Sequence, residues 1–172
     1  MPMYLYLGDI TRMETDAIVN AAGTDLRRCP GICDAIFAAA DTEKLERACR
    51  KLGRCRIGQA VATPGCGLPC RYIIHVAWPG WYGGEPRERF LLAGCYQNAL
   101  HKAYLCSCRR VAVPLIFSGD CHMPRAASLR VAGAAIADFC QRHPSMEVTL
   151  VLYRQSIYDM AKRILGWEDA PS

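Results

Sequence analysis

Apolar positions along the chain fall into short β-branched or aromatic runs, separated by longer stretches in which they recur every three or four residues. The runs predict strands at 3–7, 17–20, 60–63, 72–76, 110–115 and 148–152. The run Ala-Ile-Val-Asn at 17–20 carries no charge and therefore belongs inside a sheet. Helical spacing predicts helices over 32–40, 42–52, 88–105, 124–142 and 157–165. In 42–52 the series Leu45, Ala48, Cys49, Leu52 shares one face, with Thr42 expected as its N-cap and Gly53 as its stop. Leu92, Cys95, Tyr96, Ala99, Leu100 and Ala103 form the inward face of 88–105. Leu129, Ala132, Ile136, Phe139 and Cys140 do the same for 124–142. Pro64-Gly65-Cys66-Gly67-Leu68-Pro69 is a turn-rich connection between two strands. Strands alternating with helices predict an α/β fold, a three-layer α/β/α sandwich with helices on both faces of a mostly parallel sheet. One domain is expected over 1–167, followed by a tail at 168–172 that frays.

The stretch 113–124, Val-Pro-Leu-Ile-Phe-Ser-Gly-Asp-Cys-His-Met-Pro, runs from a strand through small residues into a helix opened by proline. Such a loop presents backbone N–H groups at a helix N-terminus, where a phosphate, a carboxylate or a developing oxyanion can be held. Its side chains also suit a hydrolase of small activated esters. The helix dipole stabilises a Cys121 thiolate, His122 is a general base that Asp120 can orient, and amides around Gly119 form an oxyanion hole. Adjacent side chains point apart, so the alternatives are His122 paired with Cys33 from another loop, or Ser118 as nucleophile. The bland reading makes Cys121 an inert thiol and His122 a helix-capping residue. His75 reads as a structural histidine inside its strand, and His101 and His143 as exposed helix positions.

Composition narrows the partners. A chain of 172 residues with 52% hydrophobic side chains buries one core without metal or disulfide staples. The 21 basic residues exceed 16 acidic ones only modestly, but 17 of them are arginines, which favour bidentate pairing with an anionic ligand. No basic tail or arginine–aromatic platform is present, so no nucleic acid is expected, and no apolar run is long enough for a membrane span. Eleven cysteines, an odd number, behind an N-terminus without a charged region and apolar core, predict reduced thiols in the cytoplasm. The close pairs Cys29/Cys33, Cys66/Cys70 and Cys106/Cys108 lack zinc-site CxxC spacing, so neither metal nor cofactor is expected. The protein is expected to be a monomer.

Gly8-Asp9-Ile10-Thr11 followed by Asp16-Ala17-Ile18-Val19-Asn20-Ala21-Ala22 resembles the macrodomain family of ADP-ribose-binding modules. Gly58-Gln59-Ala60, Thr63-Pro64-Gly65, Leu68-Pro69, Tyr72-Ile73-Ile74-His75, Pro79, Trp81, Val113-Pro114, Ser118-Gly119 and Pro124 follow in that family's order, over essentially the whole chain. The resemblance implies a mixed sheet between helices and a ligand across the strand ends. It implies that Asp9 accepts from the adenine amine, that the Ile10 amide meets the ring, and that Tyr153 lies over it. Asp9 as a turn cap and Tyr153 as a core residue are the competing readings. It further implies that two loops, 23–31 and the one after 110–115, hold pyrophosphate and distal ribose, with Asn20 at the end of its strand, Gly31, Ile32, Ser118, Gly119 and Asp120 as ligand-binding residues.

Departures from the family pattern gather on those two loops. Arg28-Cys29-Pro30-Gly31 replaces a glycine run that would leave backbone bare for phosphates, although Arg27 or Arg28 can compensate by charge. Asp120 adds negative charge, and Cys121 stands for an aromatic. The hydrolytic members' catalytic Asn and Asp fall on Gly23 and Cys33; Asp34 is one residue late, a turn of about 100° on a helix. The reading is therefore a macrodomain-type cleft for ADP-ribose or a related nucleotide, with glycohydrolase or deacetylase activity impaired. The alternatives are a remodelled pocket, natural or engineered, acting as a Cys/Ser-His esterase, and a non-catalytic binding module.

Overall fold

The computed structural model describes residues 2–78, 86–116 and 123–171, with the backbone alone at Pro86. Strands are β1 (Met3–Leu7), β2 (Thr15–Ala22), β3 (Ala60–Pro64), β4 (Cys70–Ala77), β5 (Arg110–Pro114), β6 (Glu147–Leu152) and β7 (Glu168–Asp169). Helices are α1 (Ile32–Ala39), α2 (Thr42–Leu52), α3 (Pro86–Leu105), α4 (Arg125–Arg142) and α5 (Gln155–Leu165), with a 3-10 turn at Ile10–Arg12. The strands form one sheet in the order β3-β4-β2-β5-β6-β1-β7. Only β3 runs antiparallel to its neighbour, so the expected mixed, mostly parallel sheet is present.

The pleat sorts the apolar side chains into two cores. Ala17 and Val19 of β2 join Ile74, Val113 and Leu150 beneath α3, α4 and α5, where Tyr96, Leu100, Leu129 and Phe139 are buried. Ile18, between them in sequence, points the other way and meets Ile73, Ile36, Phe37 and Leu45 under α1 and α2. Each such buried side chain contributes about 1.5–3 kcal/mol. No helix among the described residues is long and apolar enough to cross a membrane.

Two sequence expectations need correction. The N-cap of α2 is Asp41, whose Oδ1 accepts from the Lys44 N–H at 3.2 Å; Thr42 instead donates its hydroxyl to the Phe37 carbonyl at 2.7 Å. A carboxylate is acceptor-only and suits an open helix end. The tail does not fray at Glu168: Glu168 and Asp169 pair with Tyr4 and Leu5 of β1, and the Ala170 N–H donates to the Leu5 carbonyl at 2.9 Å. Asp169 is also held by the Tyr158 hydroxyl and lies 3.6 Å from Lys162 Nζ.

Because β1, β2, β5 and β6 are parallel, their carboxyl ends reach one edge of the sheet. The segments that leave those ends, beginning at Gly8, Gly23, Leu115 and Tyr153, therefore share that edge with the N-termini of α1, α4 and α5.

Candidate functional site

A cleft of about 420 Å³ opens at this edge, within the usual range for small-ligand pockets. Its walls are Gly8, Asp9 and Ile10 after β1, Gly31, Ile32 and Ala35 at the start of α1, and Pro114 and Leu115 after β5. Tyr153 and Arg154 after β6, and Arg125 at the start of α4, complete the polar part. Asp9, Ile10, Gly31, Ile32 and Tyr153 of the sequence reading thus meet on one cavity. Ser118, Gly119, Asp120, Cys121 and His122 lie outside the described residues.

Asp9 caps the 3-10 turn: its Oδ1 accepts from the Thr11 N–H at 2.9 Å and from the Thr11 hydroxyl at 2.7 Å. This satisfies the capping reading, and Asp9 also lines the cleft. Tyr153 is no core residue, being 81% exposed beside the cleft. Gly31 has φ +86°, a backbone conformation that suits a glycine, and serves as N-cap of α1. Ile32, immediately inside, presents the first helical turn to the cavity.

The cations of the cleft are not those the sequence suggested. Arg28 turns away and pairs with exposed Asp34, Nε to Oδ1 at 2.6 Å, so α1 shows Asp34 to solvent and Cys33 to the interior. Arg125 and Arg154 line the cavity instead. Arg154 directly follows the predicted ligand residue Tyr153 and Arg125 follows Pro124, which opens α4; the arginine excess was their only sequence signal.

Asn20 and Cys33 lie behind this wall, fully or almost fully buried. Asn20 Nδ2 is 3.7 Å from Cys33 Sγ and 3.1 Å from His75 Nδ1. With Asn20 donating to Nδ1, the ring proton sits on Nε2, 3.0 Å from Thr63 Oγ1. Burial holds the His75 imidazole down to about 4, which keeps it neutral and structural as expected. The Cys33 sulfur accepts from the Cys29 N–H at 3.3 Å and from Asn20 Nδ2; with the neighbouring Cys29 thiol, these outweigh burial and hold the Cys33 thiol below its usual value. The same contact pushes the Cys29 thiol up. This buried chain from Thr63 to Cys29 was missed by sequence reasoning, since its members lie on four separate elements.

The sequence profile of the Macro domain family matches residues 19–132. An O-acetyl-ADP-ribose deacetylase of Escherichia fergusonii is 37% identical over 95% of this chain and 94% of its own length. The Oceanobacillus iheyensis macrodomain with ADP superposes with a TM-score of 0.87 at 31% identity, covering 94% of this chain and 88% of that one. The Trypanosoma brucei macrodomain in complex with ADP-ribose gives 0.85 at 26% identity, covering 95% and 69%. With an α/β/α sandwich, a cleft at its strand ends and these matches in agreement, the chain belongs to the Macro domain family.

Proposed function

We propose that the cleft binds ADP-ribose or a closely related nucleotide, and that the family's hydrolytic chemistry is impaired. The observation that supports this most is the convergence of Asp9, Gly31–Ile32 and Tyr153, distant in sequence, on one cavity that also holds Arg125 and Arg154. Asp9 accepts the adenine amine, an exposed aromatic at Tyr153 covers the ring, and the arginines with the α1 N-terminus offset the pyrophosphate charge. Impaired hydrolysis follows from Gly23 and Cys33, which supply neither amide nor carboxylate to position water. Ligands named for the relatives support the nucleotide class.

The esterase alternative through Cys33 has little support, because that thiol is 1% exposed and its partners are Cys29, Asn20 and a backbone carbonyl rather than a base. Calorimetric titration with ADP-ribose decides between these readings. Saturable heat is expected with the full chain, weakened roughly tenfold to a hundredfold in Asp9→Asn, which keeps an oxygen for Thr11 but loses the charged acceptor. Absence of saturable heat, together with turnover of an aryl ester, overturns the nucleotide reading.

A further inference from the structure

The buried thiols behind the cleft wall serve no step of the proposed binding. Cys33 is the second residue of α1, and Cys29 sits just before the turn that starts it, its backbone N–H 3.3 Å from the Cys33 sulfur, so the four-residue spacing sets the two thiols side by side at a helix N-terminus. Cys29 is half-buried and Cys33 almost wholly so, which makes Cys29 the outer member. Asn20 Nδ2 and the Cys29 N–H both point at the Cys33 sulfur, donors suited to a thiolate.

We infer that Cys29 and Cys33 form an oxidisable dithiol, in which hydrogen peroxide attacks at Cys33 and Cys29 resolves the product to a disulfide. The Cys33 thiolate attacks one peroxide oxygen, the O–O bond breaks, and the departing hydroxide is protonated to water, leaving a Cys33 sulfenic acid. Cys29 sulfur then attacks the sulfenyl sulfur. The S–S bond forms, the S–O bond breaks, and the hydroxyl leaves with the Cys29 proton as a second water. Two thiols are oxidised and one peroxide is reduced; a dithiol reductant reverses the reaction. A small oxidant is required by the burial of Cys33, which leaves no room for a peptide disulfide. The product ties Cys29 to α1 across Pro30-Gly31-Ile32, so the dithiol spans the segment that lines the cleft.

The electrostatic surroundings are consistent with this order of events. Around Cys33 are Cys29 and the Arg27 carbonyl from the preceding loop, Asp34 on α1 with its partner Arg28, His75 beyond Asn20, and Cys49 on α2. Arg28 offsets Asp34 through their ion pair, and His75 is neutral, so Cys29 is the dominant influence. Burial pushes the thiols of Cys49, Cys70, Cys108 and Cys140 up to about 11 and that of Cys95 to about 12, so these remain protonated while Cys33 reacts.

The inference is independent of nucleotide binding and has its own readout. Trypsin releases Cys29 and Cys33 together on peptide 29–44, and Cys121 separately on 111–125. After brief peroxide treatment of the folded protein and alkylation, peptide 29–44 is expected to be unalkylated and lighter by about 2 Da, and to regain both labels after dithiothreitol. Cys29→Ser is expected to stop at a Cys33 sulfenic acid, trapped by dimedone once the oxidised protein is denatured, and Cys33→Ser to leave Cys29 reduced. On the unmutated protein, the rate of disulfide formation by peroxide is expected to rise with pH through the neutral range, as Cys33 loses its proton. A peptide 29–44 still carrying two free thiols after peroxide oxidises other cysteines, or disulfide formation that quickens only above about pH 9, overturns the inference.

Discussion

At the scale of single residues, His75 couples the buried chain to pH. Its ring is 1% exposed, and burial lowers its folded-state pKa from 6.5 to about 4. The unfolded state therefore takes up the proton first, and stability is expected to fall as pH drops from 6.5 toward 4. At the lower end the loss is about 3 kcal/mol. Urea unfolding at pH 7 and pH 4.5 measures it, and His75→Gln is expected to flatten that slope while lowering stability at pH 7. An unchanged slope in the variant would place the acid sensitivity elsewhere. His75 was legible as structural because its strand is otherwise apolar. Its partner Asn20 was assigned to the ligand, since a motif shows order along the chain and not which residues face the cleft.

At the scale of elements, the β3–β4 hairpin shows what local sequence carries. Gly65 and Gly67 announced a turn, and the turn is there: the Leu68 N–H donates to the Gly65 carbonyl at 3.1 Å, with Cys66 at φ +49° and Gly67 at φ +90°. Two successive left-handed residues are the twist that closes a hairpin, and only one of them is glycine. Cys66→Asn is expected to raise stability by about 0.5–1 kcal/mol, because asparagine tolerates this conformation at lower cost. A Cβ at Gly65 would lie 2.0 Å from the Cys70 carbonyl oxygen, a backbone atom that cannot swing aside. Gly65→Ala is therefore expected to cost more than about 2 kcal/mol in thermal or urea unfolding, opposite in sign to its neighbour. The elements that escaped sequence reading are those without apolar period: the Ile10–Arg12 turn, and β7, whose Glu168–Asp169 pairing rests on backbone bonds and on Asp169 held by Tyr158 and Lys162.

At the scale of the whole molecule, the mostly parallel sheet separates what holds the fold from the cleft proposed to bind. The cleft lies at the carboxyl ends of the strands, whereas Asp16 lies at the amino end of β2. There its Oδ2 accepts from the N–H groups of Arg109 and Arg110 at 2.8 and 3.0 Å, and Arg71 stands 3.7 Å from Oδ1. One carboxylate thus ties β2 to the start of β5 and to β4. Burial alone would raise its pKa, but the two backbone donors and the arginines prevail and hold it below the usual carboxylate value. A depressed carboxylate contributes stability above its unfolded value of 3.8 that is lost as pH falls through the lower folded one. Asp16→Ala strands two backbone donors and is expected to cost about 2 kcal/mol, seen as a lower unfolding midpoint at pH 7. Because the cleft residues hang from the opposite strand ends, ADP-ribose affinity measured well below that midpoint is expected to stay within about twofold of the unmutated protein. A fall in affinity as large as that of Asp9→Asn would show that the strand ends are not independent, and that the sheet transmits strain from one edge to the other.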